Sequence, residues 1–200
     1  ISPALVGAPD HPAKTGAEFI AWAKQNPKSA TIGTPAAGSG PHFTGVMLGK
    51  QSGAEFLFAH YRGDPPLVQD VMGGSINAGL CTTVTAAPLH QARRLRGLAT
   101  AGPARFPRFP GMPTFKELGF DIVVVEWLGL FVPAKTSAAT IADLSQAVRE
   151  ALGTTQVREG FEKIGTEPTG SSPEDFASIM KKDFEYWGRI VRASGFKADI

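Results

Sequence analysis

The chain of 200 residues contains a single cysteine, Cys81, and little excess charge, with a formal net charge of +2. One cysteine excludes an internal disulfide framework and any metal site built from several thiolates. No stretch approaches the roughly 20 consecutive apolar residues that span a bilayer. The small positive charge gives no reason to expect a nucleic-acid partner. With 42% apolar and 19% charged residues, the composition predicts a soluble globular protein with one sizeable core or two small lobes.

The glycine patterns that hold nucleotide phosphates are also missing. The segment from Gly38 to Phe43 lacks the third glycine of a dinucleotide-binding motif, and nowhere is Gly-Lys followed by Ser or Thr. We therefore expect no nucleotide and no other cofactor.

Strands and helices alternate in the predicted structure of the first half. Thr15-Gly16-Ala17-Glu18 is a capping box, which predicts that a helix begins there. The periodicity then predicts strands at 30–33, 55–59, 76–81 and 95–99, alternating with helices at 41–53, 66–72 and 86–93. This order predicts an α/β fold with a parallel sheet.

The second half begins with a proline-rich loop from Ala101 to Pro113. We predict a short helix from Thr114 to Gly119, then a buried strand from Ile122 to Trp127 that continues to Val132. Three helices follow, at 138–152, 156–164 and 173–194. The last carries an apolar stripe that predicts a core face: Phe176, Ile179, Met180, Phe184, Trp187, Ile190 and Val191.

Residues 32–43 predict a short strand, a loop rich in glycine and hydroxyl groups, and the first turn of a helix. Main-chain N–H groups at a helix start have no intrahelical partner and carry partial positive charge. Gly38 and Gly40 allow a ligand close to the backbone, and Ser39 adds a hydroxyl. This segment therefore predicts a pocket for a carboxylate or phosphate group.

Three loops follow predicted strands, at residues 34–40, 61–65 and 81–85. Ligands of open parallel sheets bind beyond the carboxyl ends of the strands. Donors outnumber carboxylates in these loops, which favours an anionic or oxygen-rich small molecule.

The order of motifs resembles the solute receptors of tripartite tricarboxylate transporters, the Bug family. The resemblance covers nearly the whole chain. Its motifs are Pro12-Ala13-Lys14-Thr15, Gly33-Thr34-Pro35-Ala36-Ala37-Gly38-Ser39-Gly40-Pro41-His42, Ala59-His60-Tyr61-Arg62-Gly63, Gly73-Gly74-Ser75-Ile76, Arg94-Leu95-Arg96-Gly97-Leu98-Ala99, Trp127-Leu128-Gly129-Leu130-Phe131-Val132-Pro133-Ala134 and Trp187-Gly188-Arg189-Ile190-Val191-Arg192-Ala193-Ser194-Gly195.

The resemblance implies a two-lobed periplasmic binding protein of the type II, flytrap class, with no enzymatic activity. It implies a small organic carboxylate as ligand, namely a dicarboxylate, a tricarboxylate or an aromatic acid, and transporter subunits in the membrane as partners. We expect residues 1–10 to be a crossover strand and 11–125 the α/β ligand-binding lobe, the second of the family. Residues 126–200 would then hold a crossover strand and helices of an incomplete first lobe. Apolar surface left open by that lobe is expected to drive self-association.

Carried onto this chain, the resemblance implies that the loop from Thr34 to Gly40 holds one ligand carboxylate and that His42 braces the loop or touches the ligand. Residues after the next two strands and at the second crossover would complete the wall. The expected ligand-binding residues are Thr34, Ala37, Gly38, Ser39, Gly40, His42, Tyr61, Arg62, Cys81, Thr82 and Trp127.

Two other functions remain open from the residues alone. Cys81 could be the nucleophile of a hydrolase, with His60 or His90 as base and Asp64 or Asp70 to orient it. Alternatively, the chain could be the ligand-sensing domain of a regulator, which shares the flytrap fold.

Overall fold

A five-stranded sheet forms the centre of the first compact unit. The computed structural model describes residues 1–164 and 166–197. It has two compact units. The first comprises Ile1–Glu126 together with the described residues after Gly195, and the second is Trp127–Gly195. The strands are β1 (Pro3–Gly7), β2 (Thr31–Thr34), β3 (Leu57–His60), β4 (Ala78–Thr82) and β5 (Arg96–Thr100).

The strand order across the sheet is β3-β2-β4-β1-β5. β2 pairs in parallel with β3 and β4, whereas β1 runs antiparallel to β4 and β5. The predicted α/β class with a parallel sheet is confirmed, with one antiparallel strand inserted. Every residue of β1 is buried, because β4 and β5 pair with its two edges and helices pack against the sheet at this strand.

Four helices alternate with these strands: α1 (Gly16–Gln25), α2 (Gly40–Ser52), α3 (Asp64–Met72) and α4 (Thr83–Gln91). The capping box of α1 is complete, since Thr15 Oγ1 accepts from the Glu18 N–H and Glu18 Oε2 accepts from the Thr15 N–H. α2 ends at Gly53, whose φ of 72° is the left-handed conformation common after helices. The local signals in the sequence therefore predicted these helix ends well.

Helix α3 lies close to the sheet because two strands present glycine beneath it. A Cβ on Gly33 of β2 would lie 3.1 Å from Leu67 Cγ, and one on Gly79 of β4 would lie 2.5 Å from Leu67 Cδ2. Leu67 is fully buried in that space. The packing sets the start of α3 beside the carboxyl ends of β2 and β4.

Two predicted elements between residues 114 and 132 are wrong. Thr114 and Glu117 exchange the two bonds of a capping box, but the chain makes only a turn before Gly119, where φ is 89°. The predicted strand from Ile122 is extended chain without a ladder. The Val124 and Glu126 N–H groups donate to separate carbonyls, at Ala101 and Ile1. A strand needs one continuous partner, and this segment has none in the described chain.

The second compact unit contains three helices: α5 (Ala138–Gly153), α6 (Thr155–Lys163) and α7 (Pro173–Ser194). Their predicted bounds are confirmed to within a residue. Ser172 caps α7 by accepting from the Asp175 N–H at 3.0 Å. None of the described residues in these helices is buried.

The apolar stripe of α7 is therefore not a core face in the described chain, contrary to the prediction. Phe184 is 82% exposed, and Ile179 and Met180 are both more than a third exposed. Among the described helices, none is both long enough and apolar enough to cross a membrane.

Candidate functional site

Three loops meet at one edge of the sheet. Thr34 and His60 are register partners at the ends of β2 and β3, and Gly33 pairs with Gly79 of β4. Since these strands are parallel, the loops that follow them leave the sheet on the same side. The structure thus brings together the loops that the sequence singled out.

Hydrogen bonds join the first loop to the second. The Tyr61 N–H donates to the Thr34 carbonyl at 2.9 Å, and the Gly63 N–H donates to the Pro35 carbonyl at 2.8 Å. These bonds fix the start of α3 relative to the loop that precedes α2.

Asp64, the first residue of α3, joins the second loop to the third. Its Oδ2 accepts from the Thr82 N–H at 3.0 Å, the Thr82 hydroxyl at 2.9 Å and the Thr85 hydroxyl at 2.8 Å. From the sequence, Asp64 was expected only as an orienting group in a hydrolase. Its position before Pro65 and Pro66, at a helix start, is the feature of the sequence that indicates a structural role.

Ser39 is the N-cap of α2. Its hydroxyl accepts from the His42 N–H at 3.3 Å and donates to the Ala36 carbonyl at 2.8 Å. A serine cap of this kind stabilises a protein by about 1 kcal/mol. The hydroxyl is thus engaged within the loop, and its contact with a ligand stays a prediction.

His42 braces the same loop from its buried side. Its Nδ1 accepts from the Gly38 N–H at 3.0 Å, which requires an imidazole without a proton on that nitrogen. Burial lowers the pKa of His42, and His60, with its ring centroid 4.6 Å away, lowers it further. Thr34 is also buried, and its hydroxyl lies 2.7 Å from His60 Nδ1.

Two main-chain amides of the loop are left without an acceptor. Within residues 1–164 and 166–197, the N–H groups of Ala37 and Gly40 donate to no group. Gly40 is the first residue of α2, where the helix offers its N–H no internal partner. Together with the helix dipole, these amides form a place for negative charge.

A carboxylate of the protein already lies at this place. An oxygen of Glu126 contacts Gly40 where any other residue would carry its Cβ. Burial raises the pKa of the Glu126 carboxyl, the amino group of Ile1 lowers it, and Asp64 raises it. Glu126 was not among the predicted site residues. The one feature of the sequence that marks it is a charged residue at the end of an apolar run of β-branched residues.

Tyr61 and Arg62 differ in their surroundings. The Tyr61 hydroxyl donates to Asp70 Oδ2 at 2.7 Å, and burial and Asp70 raise the pKa of Tyr61 to about 12. Its ring packs against the core beneath α3. Arg62 is exposed. Ligand contact by either residue stays a prediction.

Cys81 is 0% exposed at the end of β4, and burial, followed by the charge of Asp64, raises the pKa of its thiol. Such a thiol stays protonated and out of reach of a substrate. Thr82 is engaged by Asp64. Trp127 lies in the second compact unit, where its Nε1 donates to Asp183 Oδ2 at 2.6 Å.

A surface depression of about 390 Å³ involves none of these residues. It is lined by Pro103–Arg105 and by Thr114, Lys116 and Glu117, beside the exposed ion pair of Arg105 and Glu117. We assign no ligand to it.

The family model of the "Tripartite tricarboxylate transporter family receptor", TctC, matches residues 1–196. The chain belongs to this family. A protein of Cupriavidus necator, "UPF0065 protein in gbd 5'region", is 34% identical to this TctC chain over 191 residues, covering 96% of the chain and 58% of that protein. BugT of Bordetella pertussis is 28% identical over 180 residues, covering 90% of the chain and 55% of BugT. The TctC chain thus spans little more than half the length of these relatives.

Solved structures share the fold. One described as a periplasmic transporter has a TM-score of 0.89 and 28% identity, covering 96% of this chain and 64% of that one. The periplasmic binding protein BugD has a TM-score of 0.87 and 22% identity, covering 97% of this chain and 66% of its own. The predicted periplasmic-binding-protein fold class is therefore confirmed.

The TctC family and these structural neighbours are solute-binding receptors, not enzymes. The hydrolase alternative is wrong, in agreement with the buried, protonated thiol of Cys81. Nothing in the family match favours the regulator alternative.

Proposed function

We propose that this chain is the ligand-binding portion of a periplasmic receptor that holds a small organic carboxylate and delivers it to a tripartite tricarboxylate-type transporter in the membrane. The observation that carries the proposal is a helix start with free amides at Ala37 and Gly40 in a chain of the receptor family. Anions bind such helix starts through the amides and the helix dipole.

The ligands of other proteins with this fold agree with the proposal. A structure of R. palustris Rpa4515 with adipate has a TM-score of 0.91 and 24% identity to this chain, covering 98% of it and 66% of Rpa4515. MatC (Rpa3494) from Rhodopseudomonas palustris, with bound malate, has a TM-score of 0.85 and 23% identity, covering 96% of this chain and 66% of its own. We therefore propose an acyclic dicarboxylate as the first ligand class to test.

Thermal unfolding tests the proposal, since a ligand that binds the native state raises the melting temperature. The test panel is succinate, malate, adipate, citrate, benzoate and nicotinate, with calorimetry on any that shift the temperature. A shift with at least one acid is expected. If none of the six shifts the melting temperature, the proposed ligand class is wrong.

Gly40→Ala tests the position of the site. The added methyl would lie at the start of α2, against the flexible end of Glu126, so the fold can accept it while less space remains beside the Gly40 amide. We expect about tenfold weaker carboxylate binding, the equivalent of one hydrogen bond to a charged group. Calorimetry measures the dissociation constant.

Gly111→Ala is the matched control, because a Cβ at Gly111 meets no atom within 4 Å. It is expected to bind as the unchanged protein does. Unaltered affinity in Gly40→Ala would show that the ligand lies elsewhere.

The exposed apolar stripe of α7 supports a second proposal, namely that the chain self-associates. An amphipathic helix gains most of its stability by packing its apolar face, and Phe184 is 82% exposed. A second copy of the chain offers the same face, so two copies can cover each other's stripe in a symmetric pair. We therefore propose that a second copy of this chain covers the apolar stripe of α7.

Light scattering during size-exclusion chromatography tests this proposal. We expect a dimer or larger species whose mass falls on dilution, and a monomer for Phe184→Ser. Lys181→Ser changes an exposed charged residue of the same helix and is expected to leave the mass unaltered. A protein that stays monomeric at all concentrations contradicts self-association.

A further inference from the structure

Glu126 is an unusual neighbour for a carboxylate-binding loop. Its side chain is half-buried, and no donor or cation among the described residues pairs with its carboxylate. One of its oxygens contacts Gly40, whose N–H group donates to no group among the described residues. The protein thus places its own negative charge where the proposed ligand would place another.

A ligand carboxylate and Glu126 cannot both be ionised at this place without strong repulsion. When two carboxylates share a site, the pKa of one of them rises and the pair shares a proton. The loop from Thr34 to Gly40 contains no cationic residue, and its Ser39 hydroxyl and Gly38 amide are already engaged.

The other groups that face Glu126 do not remove this conflict. Asp64, on α3, is negative and adds to the repulsion, while the amino group of Ile1 is positive and donates to the Glu126 main-chain oxygen rather than to its side chain. Burial raises the pKa of Glu126 before any ligand arrives. The carboxyl is therefore prepared to accept a proton.

We propose that Glu126 makes ligand binding proton-linked: the site takes up one proton with each carboxylate ligand, and Glu126 shares that proton with the ligand carboxylate. This rests on the proposed function, since it describes the same site. No bond other than the O–H bond changes, and the proton comes from the solvent.

The sign of the pH dependence follows from this linkage. Because bound anion raises the pKa of Glu126 further, affinity is highest at low pH. It falls as the pH rises from the pKa of the free protein to that of the complex, by at most about tenfold per pH unit for one proton. Above both values the affinity is constant and low.

Calorimetric titration between pH 5 and pH 8 tests the proposal, using the acid from the six-member panel that gives the largest thermal shift. Paired titrations in PIPES and in imidazole, which differ in ionisation enthalpy and contain neither phosphate nor carboxylate, give the number of protons taken up. We expect uptake approaching one proton in the unchanged chain. In Glu126→Gln, we expect the proton uptake to be lower by that amount. We also expect its affinity at pH 8 to be at least about tenfold higher than that of the unchanged chain, because each unit by which the bound ligand raises the pKa of Glu126 corresponds to a tenfold loss of affinity.

Glu55→Gln is the matched control, since Glu55 is exposed and has no side-chain partner in the described chain. It is expected to reproduce the pH profile of the unchanged chain. Titration by the ligand itself is common to all three proteins and cancels in the comparison. Melting temperatures measured without ligand establish that each variant is folded.

Two results would overturn the proposal while leaving the proposed function intact. One is an identical proton uptake in Glu126→Gln and the unchanged chain. The other is tighter binding by the unchanged chain at pH 8 than by Glu126→Gln, which would mean that Glu126 accepts a hydrogen bond from a hydroxyl or amine of the ligand. Absence of binding by every protein would overturn both proposals together.

Discussion

Leu67→Ala is expected to lower the free energy of unfolding by about 3 kcal/mol. Leu67 is fully buried on the inner face of α3, over glycines of two neighbouring strands. Because Gly33 and Gly79 have no side chains, nothing in the sheet can move into the space that Leu67 leaves. The loss therefore includes both the apolar transfer energy and the energy of a residual cavity.

The reverse change, Gly79→Ala, tests the same contact. Its Cβ would lie 2.5 Å from Leu67 Cδ2 and 3.1 Å from Val71 Cγ2, so the alanine overpacks the interface, at a cost of about 1 to 3 kcal/mol. In the double variant the new methyl fills part of the cavity. The combined loss is then expected to be smaller than the sum of the two single losses.

Urea unfolding of the four proteins measures this coupling. Gly53 offers no control because its φ is positive, but Gly111→Ala is again suitable, with no atom near its Cβ. Strictly additive losses would mean that Leu67 does not occupy the space above Gly79. Since α3 carries Asp64 at its first turn, we also expect Leu67→Ala to weaken carboxylate binding.

Arg96→Ala is expected to lower the free energy of unfolding by about 2 to 3 kcal/mol. The Arg96 guanidinium donates to three main-chain carbonyls between β1 and α1: Pro9 at 2.8 Å, Ala13 at 3.2 Å and His11 at 3.4 Å. These bonds hold the connection that leads from β1 to α1. Removing the guanidinium leaves the partly buried carbonyls of Pro9 and Ala13 without a donor, while the His11 carbonyl keeps its bond from Lys14 Nζ.

Arg94→Ala is the matched control, because Arg94 is two residues away and exposed, and no side-chain bond of Arg94 occurs in the described chain. Its loss is expected to stay within about 0.5 kcal/mol. Arg96→Lys should recover only part of the stability, since an ammonium group cannot reach three carbonyls in the fork geometry of a guanidinium. Equal losses for Arg94→Ala and Arg96→Ala would contradict the assigned role.

The candidate site owes its shape to bonds within the protein. Asp64 joins two of the loops through Thr82 and Thr85, and His42 joins the ends of its own loop through Gly38. The donors in these bonds are the hydroxyl groups of Thr82 and Thr85 and the Gly38 amide, so the Ala37 and Gly40 amides are left for the proposed ligand. Such a preformed loop loses little conformational entropy on binding.

Local signals in the sequence predicted the elements that depend on neighbours along the chain. Thr15 with Glu18, Gly53, and Ser172 with Pro173 each set a helix end through bonds that span three or four residues. The loop after β2 was likewise predictable, because two glycines, a serine cap and a helix start lie within a few residues. The order of motifs identified the receptor family before any contact was known.

Such local signals did not predict contacts between residues that are far apart along the chain. The strand predicted from Ile122 fails because β propensity describes a side chain, while a strand needs a continuous partner edge. The stripe of α7 marks an apolar face but does not say whether anything covers it. Arg96 donates to three carbonyls that lie more than 80 residues away along the chain, and no neighbouring residue indicates these bonds.

The amino-acid sequence alone therefore determined the α/β class, most helix ends and the receptor family, and it predicted an anion-binding loop before α2, because each depends on short-range patterns or on their order. Tertiary structure alone placed Glu126 against Gly40, Asp64 against Thr82 and Leu67 over two glycines. These pairs are separated by 12 to 86 positions and meet only when strands pair and helices pack onto them. The charge and the free space at the proposed site depend on these long-range contacts, so they follow from the tertiary structure.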